Sequence, residues 1–158
     1  MMSDVIADDR WRQAHLGHWL GLALRRFDAR VLRLMADNEQ MPLALAHLAA
    51  RGSLSACHIQ VTRHLALDGS RLTELAQRAG MSKQAMGKLV DQCEAWGLVT
   101  READGRDARA RRIRFTAVGQ AWLLAMQQAV AQAEAELRLA VGSEVAAVIA
   151  LGLEAYAA

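Results

Sequence analysis

Residues 70 to 116 constrain the fold more than any other part of the chain. They read SRLTELAQRAG, then MSKQAMGKLVDQCEAWGLVTREADGRDARARRIRFT. Leu72, Leu75, Ala76 and Ala79 give a first short helix a buried side, and Gly80 suits the positive φ of a tight turn. Ser82 suits the N-cap of a second helix. In that helix Met86, Leu89, Val90, Cys93 and Gly97 share one face, while Lys83, Gln84, Gly87, Lys88 and Asp91 share the other. Leu98 to Ala103 reads as a strand, Asp104-Gly105 as a turn, and Arg111 to Phe115 as a returning strand. Arg112 and Arg114 alternate with Ile113 and Phe115, the pattern of a half-buried ribbon. Short helix, turn, second helix and arginine-rich ribbon, in that order, predict a winged helix-turn-helix.

The chemistry of these parts points to double-stranded DNA. A helix fits the major groove and meets base edges with its N-terminal residues first. Gln84 is suited to an adenine edge, and Lys83 or Lys88 to a guanine edge or a phosphate. The ribbon carries six arginines between Arg101 and Arg114. A thin ribbon tipped with arginine suits a narrow minor groove, where the potential is most negative. Net charge alone, at +2, says little. Its distribution says more: residues 71–114 hold ten basic and six acidic side chains, whereas residues 115–158 hold one and four.

The flanks read as helices. Leu16, Leu20, Leu24, Phe27, Val31 and Leu34 form one stripe of a helix from about Asp8 to Asp37. Pro42 suits the first turn of a short helix, Leu43 to Arg51, that Gly52 ends. Ser53 or Ser55 caps a helix running to about Leu67, and Asp68-Gly69 is a turn. Thr116 closes the ribbon and caps a long helix, in which Val118, Trp122, Met126, Ala129, Ala133, Leu137 and Ala140 line up. Ser143 caps a last helix bearing Val145, Val148, Ile149 and Leu153. These terminal helices carry more apolar surface than one small core covers, so a second chain is expected to pair with them. The expected fold class is mainly α with a small β-wing. One domain over 1–158 divides into a helical dimerisation region (8–67 and 117–158) and a winged helix-turn-helix lobe (70–116).

The stretch LTELAQRAGMSKQAMGKLV, followed by GLVTRE and DGRDARARRIRFT, resembles the MarR family of transcription regulators. Asp107, Arg109, Phe115 and Thr116 fit that family's wing pattern of Asp, any residue, Arg, five residues, an apolar residue and Thr. The match covers roughly residues 70 to 120. It implies a homodimer on a near-palindromic operator with half-sites about one helical turn apart. It places Ser82, Lys83, Gln84, Gly87 and Lys88 toward the major groove. Arg109 enters the minor groove, oriented by a salt bridge from Asp107, with Arg101, Arg106 and Arg111 beside it. It also implies repression released by a small, often aromatic ligand, or by cysteine oxidation. Gly105 stands where the family often has Pro, Cys93 where a larger aliphatic is common, and segment 38–53 is longer than usual.

Other residues weigh less. His15 and His18, flanked by Trp11 and Trp19, lack a third metal ligand at suitable spacing, so no metal and no cofactor is expected. Trp11, His15, Trp19 and His58 are candidate ligand-pocket residues. Cys57 and Cys93 show no CxxC spacing; a redox-sensing role for either is the alternative reading. No nucleophile motif or phosphate loop marks an enzyme. A winged-helix module that binds protein is a further alternative, against which the cationic wing argues. The acidic start MMSDVIADDR is unlike a signal peptide, and the charge-free run 115–133 is amphipathic, so a cytoplasmic protein off the membrane is expected.

Overall fold

A computed structural model of the chain describes residues 9–158. A 3-10 turn at Arg10–Gln13 precedes helix α1, Leu16–Ala36. The expected single helix is therefore split, and its start at Asp8 lies outside the described residues. The reason is local. Arg12 N–H bonds Asp9 O at 3.0 Å, closing a separate turn, and His15 adopts extended backbone to cap α1, its Nδ1 accepting His18 N–H at 3.2 Å.

Helix α2, Leu43–Ala50, starts directly after Pro42 and gives way at Gly52, whose φ is +72°. Helix α3 spans Ala56–His64 with Ser55 as N-cap, ending earlier than expected. Leu65 is extended, and Ser70 Oγ accepts Ala66 N–H at 3.2 Å, drawing the chain into a short strand β1, Ser70–Arg71. Helices α4, Leu72–Arg78, and α5, Lys83–Ala95, follow across a turn in which Gly80 has φ +62°. Strands β2, Val99–Asp104, and β3, Asp107–Phe115, form the ribbon. Its turn is Gly105-Arg106, one residue later than expected, because Asp104 pairs with Asp107. β1 adds a third, antiparallel strand that the two-stranded expectation lacked, giving the order β1-β3-β2.

Helix α6, Ala117–Val141, leaves the ribbon beside the start of β2. Thr116 clamps that junction. Its hydroxyl donates to Gly97 O and accepts Gly119 N–H at 3.0 Å. Gly119 is there because nothing larger fits: a Cβ would lie 2.0 Å from Leu98 O. Helix α7, Ser143–Ala157, turns 118° away from α6 at Gly142.

One continuous core joins Val31 and Met35 of α1, Leu45 of α2, Val61 of α3, Leu75 of α4, Met86 and Val90 of α5, Ile113 of β3, and Trp122 and Ala129 of α6. The expected apolar stripes are only partly covered. On α1 Val31 is buried but Leu16 and Leu24 are exposed; on α6 Trp122, Ala129 and Ala133 are buried but Val118 and Leu137 are exposed. On α7 the chain buries only Ala146. No single described helix is long and apolar enough to cross a membrane.

Candidate nucleic-acid interface

The second helix of the pair, α5, is fixed at its start and along its back. Met81 N–H bonds Ala76 O at 2.9 Å, setting the angle between α4 and α5. Ser82 Oγ accepts Ala85 N–H at 3.1 Å, an N-cap that ties this oxygen to the helix. Met86, Val90 and Cys93 are buried, while Lys83, Gln84, Lys88 and Asp91 are exposed on the opposite side. Gly87 is half-buried, with Leu72 the nearest side chain to a Cβ built there, at 3.7 Å.

His58 supports this helix from behind. Its Nδ1 accepts Ser55 N–H at 3.0 Å, which assigns the proton to Nε2, and that nitrogen donates to Gln92 Oε1 at 2.7 Å. The ring packs on Trp96 at 4.7 Å and is only 5% exposed. His58 is thus committed to bracing α5. Trp11 and Trp19 are 64% and 56% exposed, and His15 is spent capping α1. The α3 helix, expected in the dimerisation region, packs on α5 through these same contacts.

The arginines of the wing fall into two sets. Arg101 binds Asp91 and Glu94 of α5 by side-chain pairs, and its N–H bonds Glu94 Oε1 at 3.2 Å. Arg112 donates to Gly69 O at 2.9 Å, and Arg114 pairs with Glu102 at 3.2 Å. By contrast Lys83, Lys88, Arg106, Arg109 and Arg111 are exposed and have no ion-pair partner among the described residues. Arg101, expected to face DNA, is thus a strut between β2 and α5. Asp107 also differs from expectation. Its Oδ1 accepts the backbone N–H of Arg109 at 3.0 Å, so it shapes the strand start and does not pair with the guanidinium.

Asp104 holds the base of the wing. It is buried, accepts Arg106 N–H at 3.1 Å, and has Arg71 Nε and Nη2 both at 2.9 Å from Oδ2. The Arg106 N–H and then the Arg71 guanidinium hold its carboxyl below the usual range. Strand alternation puts Arg109 and Arg111 on the face of Ile113, and they meet Lys83 of α5 across a cleft of about 390 Å³. Arg71, Leu72, Thr73, Arg101, Ala110 and Ile113 complete its lining. Arg71 and Thr73 were not foreseen, because only the pairing of β1 with β3 brings them to the wing.

A second cleft, about 450 Å³, lies between α1 and α6. Ala23, Phe27, Ala133, Leu137 and Ala140 form its apolar wall, with Arg26, Arg30 and Arg33 on its rim. Arg30 grips Glu136 with two 2.7 Å bonds, which hold the Glu136 carboxyl down at about 2. Buried Asp28 of α1 pairs with Arg63 of α3 at 2.8 Å. Cys93 is buried, and desolvation pushes its thiol up to about 12; Cys57 is exposed. Among the described residues no three His, Cys, Asp or Glu side chains cluster as a metal site.

Residues 60–110 match the sequence model of the MarR family. Among solved structures, the chain is similar to the transcriptional repressor CouR bound to a 23-mer DNA duplex, with 22% identity and a TM-score of 0.69 over 99% of this chain and 100% of that one. It is similar to a MarR family protein of Mycobacterium tuberculosis in complex with p-aminosalicylic acid, with 23% identity and a TM-score of 0.61 over 92% of this chain and 100% of that one. It is also similar to the PcaV transcriptional regulator of Streptomyces coelicolor in complex with its natural ligand, with 18% identity and a TM-score of 0.66 over 97% of each chain. The fold is the one these solved structures share, and the family model's match to residues 60–110 falls on the helix pair and the first part of the wing, from which the resemblance is read.

Proposed function

From the MarR-family signature and the MarR-type fold, we infer that this chain is a homodimeric, sequence-specific DNA-binding regulator of transcription. One observation carries the reading. The exposed outer face of α5 and the unpaired cations of the wing, Arg106, Arg109 and Arg111, belong to one braced lobe. The partner is a near-palindromic duplex, with α5 in the major groove and Arg109 in the adjacent minor groove. Lys83, Gln84 and Lys88 read bases or hold phosphates. The protein acts in the cytoplasm, without cofactor, metal or enzymatic activity of its own.

The apolar faces of α1, α6 and α7 that the chain leaves open support a second copy as the dimer partner. Release from DNA comes from a small ligand, an aromatic acid being the first choice by likeness to the relatives. Such a ligand acts by its differential affinity for two spacings of the recognition helices. The pair of buried Asp28 with exposed Arg63, which joins α1 to α3, is a physical link between the dimerisation region and the lobe. The buried, weakly acidic Cys93 argues against that thiol as an oxidant sensor, since the reactive form is the thiolate.

Selection of bound fragments from random duplex DNA, with and without aromatic acids, tests the proposal. An enriched palindrome whose retention falls with one of the acids is the expected result. Recovery of random sequence at low salt would refute the sequence-specific reading.

A further inference from the structure

Helix α3 packs on both α1 and α5, and its polar side chains are divided between them. His58 stands in its first turn, with Nε2 donating to Gln92 Oε1 of α5 at 2.7 Å and the ring against Trp96. Arg63 stands in its last turn and donates to Asp28 Oδ1 of α1 at 2.8 Å. The step from 58 to 63 turns about 140° around an α-helix, so the two side chains leave α3 on opposed faces. Thr62 adds a tie to α6, its hydroxyl lying 3.5 Å from the Met126 sulfur. The other supports of α5 are different in kind. The Met81 N–H bond to Ala76 O and the Arg101 pairs join it to α4 and to the wing, all inside the lobe. Gln92 lies about 12 Å along the helix axis from Gln84. Helix α3 thus grips the far end of the helix whose start presents Lys83 and Gln84, and a small tilt at Gln92 becomes a displacement at that start.

We propose that His58 and Gln92 are positioning residues that set the half-site spacing this protein accepts: through α3, whose opposite face is pinned to α1 by Arg63 and Asp28, they fix the pitch of α5 relative to the long helices. They act through α5 and not by contact with DNA. The assignment rests on the dimeric DNA-binding reading above and adds what governs its geometry. A dimer engages two half-sites at once. One base pair inserted between them turns one half-site by about 35° and moves it by about 3.4 Å. Two recognition helices held at a fixed pitch reject that change, and two loosened ones accept it.

The test uses the full-length protein, a duplex recovered by selection, and the same duplex with one base pair added or removed between its half-sites. Wild type is expected to prefer the selected spacing. Gln92→Met removes the acceptor for His58 at an exposed position and is expected to bring the three affinities together. Gln92→Glu supplies an acceptor again and is expected to restore the preference. Asp28→Ala cuts the other joint, leaves exposed Arg63 to water, and is expected to flatten the same preference. Because the joints act in series, the variant with both Asp28→Ala and Gln92→Met is expected to be no flatter than either alone. A variant that is merely less stable, as its melting temperature would show, loses affinity for all three duplexes by one common factor. That uniform loss in Gln92→Met, with the spacing preference intact, would overturn the positioning role and leave the DNA-binding reading standing. So would further flattening in the double variant, or wild type that binds all three duplexes equally. Failure to bind any duplex in dilute buffer would overturn both.

Discussion

Arg101 and Arg109 lie on the same ribbon in opposite surroundings. Arg109 is exposed with no ionic partner among the described residues, while Arg101 is gripped by two carboxylates of α5. Their truncations should therefore fail differently. Arg109→Ala is expected to weaken operator binding strongly while melting temperature and dimerisation stay unchanged; unaltered affinity would remove the wing from the account. Arg101→Ala should lower the melting temperature as well as the affinity, because it leaves Glu94 and Asp91 facing each other without a cation. Gln84→Ala is a third case. It should relax base preference by about 1–3 kcal/mol at one position and barely change non-specific binding. An equal loss on all sequences would mean that Gln84 touches only phosphate.

At the level of elements, local rules were legible and distant pairings were not. Gly80, Ser82 and Thr116 are read correctly from sequence because a turn, an N-cap and a strand-to-helix junction depend on neighbours a few residues away. Strand β1 is two residues long and exists only through β3, some forty residues on, so no periodicity announces it. His58 reads in the sequence only as a pocket candidate, because its partners, Gln92 and Trp96, are far along the chain. Gly119 is a packing fact of the same kind. Gly119→Ala drives a Cβ into Leu98 O and should destabilise the fold by about 1–3 kcal/mol or more, measured by urea unfolding. The Arg30–Glu136 pair makes a pH prediction. Because folding depresses the Glu136 pKa, its contribution is complete above the ordinary value of 4.5 and is lost as pH falls toward about 2. Thermal unfolding should show Glu136→Gln less stable than wild type at neutral pH, with the gap closing in acid. A gap independent of pH would place its origin in packing.

For the whole molecule, the division of labour follows from where surface is left over. The lobe leaves unpaired cations at the wing and at the start of α5, whereas α1, α6 and α7 leave leucine, valine and isoleucine side chains uncovered. On the proposed reading, one region serves a polyanion and the other a second copy of the chain. The asymmetry was visible in outline as a basic middle segment beside an acidic, apolar C-terminal one. What the sequence could not supply was which arginines are free and which are struts, because that depends on carboxylates brought in by the fold.

The most direct measurement combines mass and affinity: sedimentation of the purified chain with and without a selected duplex, repeated across a salt series. The account predicts a dimer in the absence of DNA, two chains on each duplex, and affinity that falls by orders of magnitude between low and moderate salt. A monomer that sediments apart from every duplex, even in dilute buffer, would contradict it.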